Sequence, residues 1–265
     1  MTENIKTLST REANFLSQLA ADGKTIFSLH EAQLVWDNPA RTAVALSRLA
    51  EKGWLRRLER GLYMLIPLEA GPDRAWFESS LAIASHLIDP SAIAYWSAIY
   101  YWDWTEHIPQ VTLVQSTRRK PPVEIMGMQF RFITLTKAHF FGIQQRSSEG
   151  KIVSVTDREK TLLDAAARPD LSGGILQLAQ ALRAAQAQID WPKLDIYLAR
   201  WGGGAVLKRL GYLVEVLNLA IPERDQRLEK WQRLLTAGIS QLEPGEGRHG
   251  SVITRWRVRI NVDVM

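Results

Sequence analysis

Apolar positions recur at helical spacing in three short stretches near the start of the chain, each bounded by polar or glycine punctuation. Ala13, Leu16, Leu19 and Ala20 share one face of a helix predicted from Ser9 or Thr10 to about Ala20, ended by Asp22-Gly23. Thr10, with Glu12 and Ala13 behind it, makes only an imperfect capping box. Ser28, with Glu31 three residues on, caps a second short helix whose apolar residues are Leu29, Ala32, Leu34 and Val35. Asp37-Asn38-Pro39 is a turn that starts a third helix, since proline suits the first helical turn. That helix runs to about Lys52 with Ala43, Leu46, Leu49 and Ala50 as its apolar face, and Gly53 stops it. From Trp54 to Leu65 the chain reads as a strand, a tight turn near Glu59 to Gly61, and a second strand.

The stretch from Pro67 to Asp73, with Gly71-Pro72, reads as a domain boundary. It separates a first domain, residues 1–67, from a second, residues 73–265. In the second, a helix is expected from an Asp73 cap to Ile88, and Ser91 caps another that carries an aromatic cluster. A strand follows at Val111 to Thr117, then a hairpin over Val123 to Thr136 turning near Gly127 and a short strand at Lys151 to Thr156. Asp157 starts a helix ending near Arg168-Pro169, and Gly174 to Trp231 is largely helical, with breaks at Asp190-Trp191-Pro192, Gly202-Gly203-Gly204 and Ile221-Pro222. A polar, glycine-rich loop from Glu243 to Gly250 leads to a last strand, Ser251 to Val262. The fold class is therefore α+β: an N-terminal winged helix-turn-helix followed by a larger mixed α/β domain.

Charge turns that first domain into a candidate interface. The chain carries +5, yet Pro39 to Arg60 alone holds six basic residues, Arg41, Arg48, Lys52, Arg56, Arg57 and Arg60, against the acids Glu51 and Glu59, a surplus of four. A localised basic patch attracts polyanions by releasing their condensed counterions. On the third helix the face opposite Ala43, Leu46 and Leu49 is expected to present Arg41, Thr42, Ala45 and Arg48. Arginine pairs bidentately with guanine, threonine touches a base or a thymine methyl, and a small residue such as Ala45 lets the helix sit deep in the major groove. Asn38 and Thr42, with free backbone N–H groups at the helix start, are candidates to hold a phosphate. Arg56, Arg57 and Arg60 give the ribbon its phosphate contacts. Solvated surface charge, or a protein-docking role for the winged helix, is the alternative for the same residues.

Other chemistry is excluded or weak. There are no cysteines, hence no disulfides, thiolate metal sites or thiol nucleophiles, which fits a reducing cytoplasm. The first residues lack an apolar signal core and no apolar run reaches the length of a membrane span, so a cytoplasmic protein without membrane contact is expected. His30, His86, His107, His139 and His249 do not pair at ligand spacing, and no phosphate-loop, metalloprotease or hydrolase signature is present. No catalytic residue, metal or cofactor is assigned. Gly202-Gly203-Gly204 reads as an interhelical turn rather than a phosphate cradle, because it follows a helix. Asp103, Glu106 and His107 leave a nuclease-like cluster open as a rival. Tyr95, Trp96, Tyr100, Tyr101, Trp102 and Trp104 suit the core of the second domain better than base stacking, given the apolar neighbours Ile93, Ala94, Ala98 and Ile99. In the last strand, alternation sets Val252, Thr254, Trp256, Val258 and Ile260 on one face and Arg255, Arg257 and Arg259 on the other. The arginine row is either a solvated outer face or a surface for an acidic partner.

Four segments together resemble a known family. A-V-A-L-S-R-L-A-E-K-G-W-L-R-R-L-E-R-G-L-Y (43–63) is similar to the winged-helix start of the AbiEi-type antitoxins of type IV toxin-antitoxin systems. A-Y-W-S-A-I-Y-Y-W-D-W-T-E-H-I-P (94–109) resembles the start of that family's second domain, V-T-D-R-E-K-T-L-L-D-A-A-A-R-P-D-L-S-G-G (155–174) its signature helix, and A-V-L-K-R-L-G-Y-L-V-E (205–215) its C-terminal part. The resemblance implies an abortive-infection, phage-defence antitoxin. Such a protein binds inverted repeats in double-stranded DNA at its own promoter and represses it. Its C-terminal domain is needed to counter a nucleotidyltransferase-like toxin, with or without direct contact. By that pattern Arg41, Thr42 and Arg48 read bases and Arg56, Arg57 and Arg60 contact phosphates. The arginine face of the last strand, Arg255, Arg257 and Arg259, is a separate candidate for the neutralising surface, read from its alternation. A transcriptional regulator without a toxin, and a nucleic-acid-processing enzyme with its site in the second domain, are the competing readings.

Overall fold

The computed structural model describes residues 7–36 and 38–264. Asp37 of the expected turn, the first six residues assigned to the N-terminal domain, and Met265 lie outside them. The chain divides into two compact units. The first runs to Asp89 and takes in Glu124–Met128; the second holds Pro90–Val123 and the chain from Gln129 onward. The division thus falls after Asp89, whereas the sequence places a boundary at Pro67 to Asp73.

The first unit is built from α1 (Thr10–Ala21), β1 (Ile26–Ser28), α2 (Leu29–Trp36), α3 (Pro39–Glu51), β2 (Leu55–Glu59), β3 (Leu62–Leu65) and α4 (Ser80–Leu87). Ser9, not Thr10, caps α1: its side chain accepts from the Glu12 N–H while Glu12 accepts from the Ser9 N–H, so the capping box is complete. Ser28 and Glu31 repeat the device for α2. Before that cap, residues 26–28 pair antiparallel with β3, giving a three-stranded sheet in the order β1-β3-β2. The sequence gives no hint of β1, since three residues are too few to show a period.

The core of this unit packs Phe15 edge-on to Phe27 (5.3 Å) and Trp36 (4.7 Å), above Leu46, Leu49, Leu55 and Leu65. Two expected faces are rotated. In α1 the buried residues are Glu12, Phe15, Leu16 and Leu19, with Ala20 exposed; in α2 Leu34 is exposed and Trp36 buried. In α1 the large Phe15 is inside and Ala20 is left out, as expected when burial stabilises in proportion to apolar area, whereas in α2 Ala32 and Trp36 are inside and Leu34 stays in solvent. The helix expected from Asp73 begins only at Ser80. Arg74 has a left-handed φ of 52° and its guanidinium lies 3.6 Å over the Trp54 ring, a tertiary contact that holds this stretch out of the helix.

The second unit is a mixed sheet with helices. Its strands are β4 (Ala92–Ile93), β5 (Val111–Ser116), β7 (Met128–Thr134, from Gln129 on), β8 (Ile143–Ser148) and β9 (Lys151–Thr156), and α5 spans Tyr95–Tyr101; of β6 (Val123–Ile125), Glu124 and Ile125 belong to the first unit. β7, β5, β4, β9 and β8 lie side by side in that order, with β5–β7 and β4–β9 parallel and β4–β5 and β8–β9 antiparallel. β4 replaces the helix start expected at Ser91, and β8 was not expected. α6 (Arg158–Ala167), α7 (Gly174–Ala185), α8 (Trp191–Trp201), α9 (Ala205–Val216) and α10 (Arg224–Arg233) follow, with Gly202–Gly204 as the turn between α8 and α9. Tyr95 and Trp104 are buried in this unit.

α6 packs against α5, α7, α8 and α9 and is buried on all sides from Glu159 to Ala166. Asp157 caps it, its second carboxylate oxygen accepting from Tyr197 (2.7 Å) and pairing with Lys193 (2.9 Å), which also reaches Glu159. The chain ends in β10 (Ser240–Gln241), β11 (Val252–Ile253) and β12 (Val258–Arg259), in the order β10-β12-β11. The expected continuous strand is therefore a hairpin: β11 and β12 are antiparallel and residues 254–257 form the turn.

That turn drives Trp256 into the core against α9, where a Cβ on Gly211 would lie inside the indole, and Trp256 Nε1 donates to Glu215. Gly211→Ala is expected to cost about 1–3 kcal/mol by overpacking. The urea midpoint measures it, and an unchanged midpoint contradicts the packing.

Candidate nucleic-acid interface

α3 and the β2–β3 ribbon bring the basic residues together. Asn38 caps α3, its Oδ1 accepting from the N–H groups of Ala40 (2.9 Å) and Arg41 (3.1 Å). Thr42 is fully buried and its Oγ1 donates to the Asn38 carbonyl at 2.9 Å. These contacts correct two expectations. The N–H groups that were to hold a phosphate are already satisfied, and Thr42 has no surface from which to touch a base. Ala45 is buried too, so the core face of α3 is Thr42, Ala45, Leu46 and Leu49, while Ala43 is exposed.

The outward face is consequently Ala40, Arg41, Val44, Ser47, Arg48 and Glu51. Val44 and Ser47 were missed; three residues on from Arg41 and four back from Arg48 finds Val44, and three on from Val44 finds Ser47. Arg41, Val44 and Arg48 also line a cleft of about 400 Å³ beside the start of α1.

Lys52, counted in the basic surplus, is not part of this surface. It pairs with Glu12 at 2.8 Å and donates to the Thr7 carbonyl, tying α3 to α1. Burial opposes ionisation of Glu12, but hydrogen bonds from Lys52 and from both Ser9 donors hold its carboxyl below the ordinary range.

In the ribbon Leu55 and Leu58 are buried three residues apart, because a bulge between Arg57 and Glu59 breaks the alternation. Arg56 and Arg57 are both exposed, and so is Arg60 beside Gly61, whose φ of 81° makes the turn. Arg57 Nε donates to the Glu59 carbonyl at 3.2 Å. Among the described residues no acid pairs with Arg41, Arg48, Arg56 or Arg60. The first unit thus carries unneutralised guanidinium groups on one helix face and on the adjoining ribbon.

The C-terminal arginines are arranged otherwise than expected. With residues 254–257 in a turn, Arg255, Arg257 and Arg259 do not form a row. Arg255 Nε lies 3.2 Å from Glu215, Arg257 donates to the Leu235 and Thr236 carbonyls, and Arg259 donates to the Gly250 carbonyl. They brace the hairpin against its own unit. Among the described residues no group of three or more His, Asp or Glu, Asp103, Glu106 and His107 included, is placed to hold a metal ion. No helix of the described residues is long and apolar enough to cross a membrane.

Comparisons with known proteins agree with the sequence resemblance. Residues 14–66 match the family described as "Transcriptional regulator, AbiEi antitoxin", a span that covers most of α1 and all of β1 to β3. No curated protein matches the chain. Among solved structures, the crystal structure of the RV2827C protein from Mycobacterium tuberculosis aligns with a TM-score of 0.62 at 16% identity, over 95% of this chain and 92% of that one. At that identity the likeness shows a shared α+β fold across both units.

Proposed function

We propose, from an AbiEi antitoxin match over residues 14–66, that this chain is the DNA-binding antitoxin of a type IV toxin-antitoxin system, repressing its own promoter and counteracting a nucleotidyltransferase-like toxin. The observation that carries the DNA-binding part is the set of arginines on α3 and the ribbon that no described acid neutralises. α3 lies in the major groove of an inverted repeat, where Arg41 and Arg48 reach base edges. Arg56, Arg57 and Arg60 reach the flanking phosphates. The reading assigns the chain binding rather than catalysis, in the cytoplasm, and no cofactor.

Two measurements test it. Gel shifts with the duplex upstream of the chain's own gene should show tighter binding than with scrambled duplex; equal binding contradicts promoter recognition. Co-expression with the downstream gene, driven from an unrelated promoter, should restore growth; no rescue favours a regulator that acts without a toxin. For the ribbon, replacing Arg56, Arg57 and Arg60 together by alanine should weaken binding to any duplex. It should also flatten the dependence of log K on log salt by about 0.9 per lost phosphate contact. An unchanged slope places the ribbon off the backbone.

A further inference from the structure

We propose, resting on the DNA-binding reading above, that Val44 is a specificity-determining residue that recognises the C5-methyl group of a thymine held between the two base pairs contacted by Arg41 and Arg48. Val44 is 50% exposed at the centre of the outward face of α3, yet it sits outside the apolar core of its unit, which takes Ala45, Leu46 and Leu49 from the same helix. A β-branched residue has lower helix propensity than the alanines around it, so neither folding nor packing accounts for valine at this position.

Its surroundings define what it can touch. Arg41 precedes it by one turn and Arg48 follows it by one turn, and neither guanidinium is paired with a described acid. Two unneutralised cations beside an exposed apolar side chain do not suit an apolar protein surface, which would have to desolvate both charges. A major groove suits all three. Its guanines accept from arginine, and the thymine methyl is the apolar group it displays on base edges.

The spacing adds a length. Arg41 and Arg48 are seven residues apart, about 10.5 Å along a helix axis at 1.5 Å per residue. That is about three base-pair steps at 3.4 Å each. The favoured half-site therefore carries two guanines roughly three steps apart with a T·A pair between them. Ala40, exposed on the same face one turn before Val44, leaves room for the helix to approach closely enough for a methyl contact.

The experiment uses the full chain. Duplexes are selected from a random library, and in the tightest one each thymine is replaced in turn by deoxyuridine, which removes the methyl group and nothing else. Binding of the parent, Val44→Ala and Val44→Thr is followed by fluorescence anisotropy. At one thymine between the arginine-dependent guanines, deoxyuridine should weaken the parent about fourfold, equivalent to about 0.8 kcal/mol for one buried methyl group, and Val44→Ala by less than about twofold. Val44→Thr, which keeps one methyl, should fall between them. Because Val44 lies outside the core, the variants should match the parent in circular dichroism. A deoxyuridine series that leaves the parent unaffected, or weakens parent and Val44→Ala equally, overturns the assignment while DNA binding stands. If no duplex is enriched, the DNA-binding reading fails, and this assignment with it.

Discussion

Arg41→Ala and Arg48→Ala should each weaken binding to the upstream duplex by about 1–3 kcal/mol, roughly 5- to 150-fold, while changing binding to scrambled duplex much less. The asymmetry is the informative part. A guanidinium that donates to guanine O6 and N7 contributes to one sequence, whereas one that rests on a phosphate contributes to all of them. Both arginines leave the same helix face one turn either side of Val44, and both are exposed. Thr42→Val is the matched control. Its hydroxyl donates inward to the Asn38 carbonyl, so its loss should lower stability by about 1 kcal/mol and leave sequence preference unchanged. Equal affinity of the arginine variants and the parent for the upstream duplex would remove α3 from the groove.

Asp164→Ala should lower stability by about 3–5 kcal/mol, the usual consequence of stranding one member of a buried ion pair. Lys160 and Asp164 sit one turn apart on α6 and pair there with side chains 0% and 1% exposed. Burial pushes the Asp164 carboxyl up to about 6, against the pull of Lys160, so attraction recovers only part of what desolvation costs. The second Asp164 oxygen has no partner among the described residues. Apart from Asp164, Lys160 faces rings, with its Nζ 5.1 Å from Phe141 and 5.2 Å from Trp201. Without the carboxylate, the ammonium keeps only those faces. Replacing both residues, Lys160→Met with Asp164→Leu, should recover most of the loss, because an apolar pair of similar volume avoids the desolvation. Urea unfolding of the two variants beside the parent measures both effects. A single variant within about 1 kcal/mol of the parent would mean that water reaches the pair, since exposed pairs contribute no more than that.

Much of the first unit was legible because its signals are local. Capping residues, the proline at the start of α3, Gly53 and Gly61 act within a few residues of themselves, so the order of helices and ribbon follows from the sequence. Exposed arginines in the ribbon are equally local, since a tight turn projects them whatever lies beneath. The choice of face on α3 was not local. Thr42, Ala43, Ala45 and Ala50 are all small, and periodicity alone cannot say which of them meets Phe15 and Trp36. The structure buries Thr42 and Ala45, leaves Ala43 outside and brings out Val44.

Lys52 makes the same point for charge. Its sequence neighbours place it in a basic patch, but its partner Glu12 lies forty residues back, across the core. The sequence by itself determined which segments are helical, where most of them stop, and that basic residues accumulate between Pro39 and Arg60, because these depend on neighbours along the chain. Only the tertiary structure decided that Arg74 stacks on Trp54 and delays α4 to Ser80, that residues 254–257 turn and bury Trp256, and that α6 carries a charged pair inside its unit. Each of those is settled by a side chain distant in sequence, whose packing or charge outweighs the fraction of a kcal/mol that separates one local conformation from another.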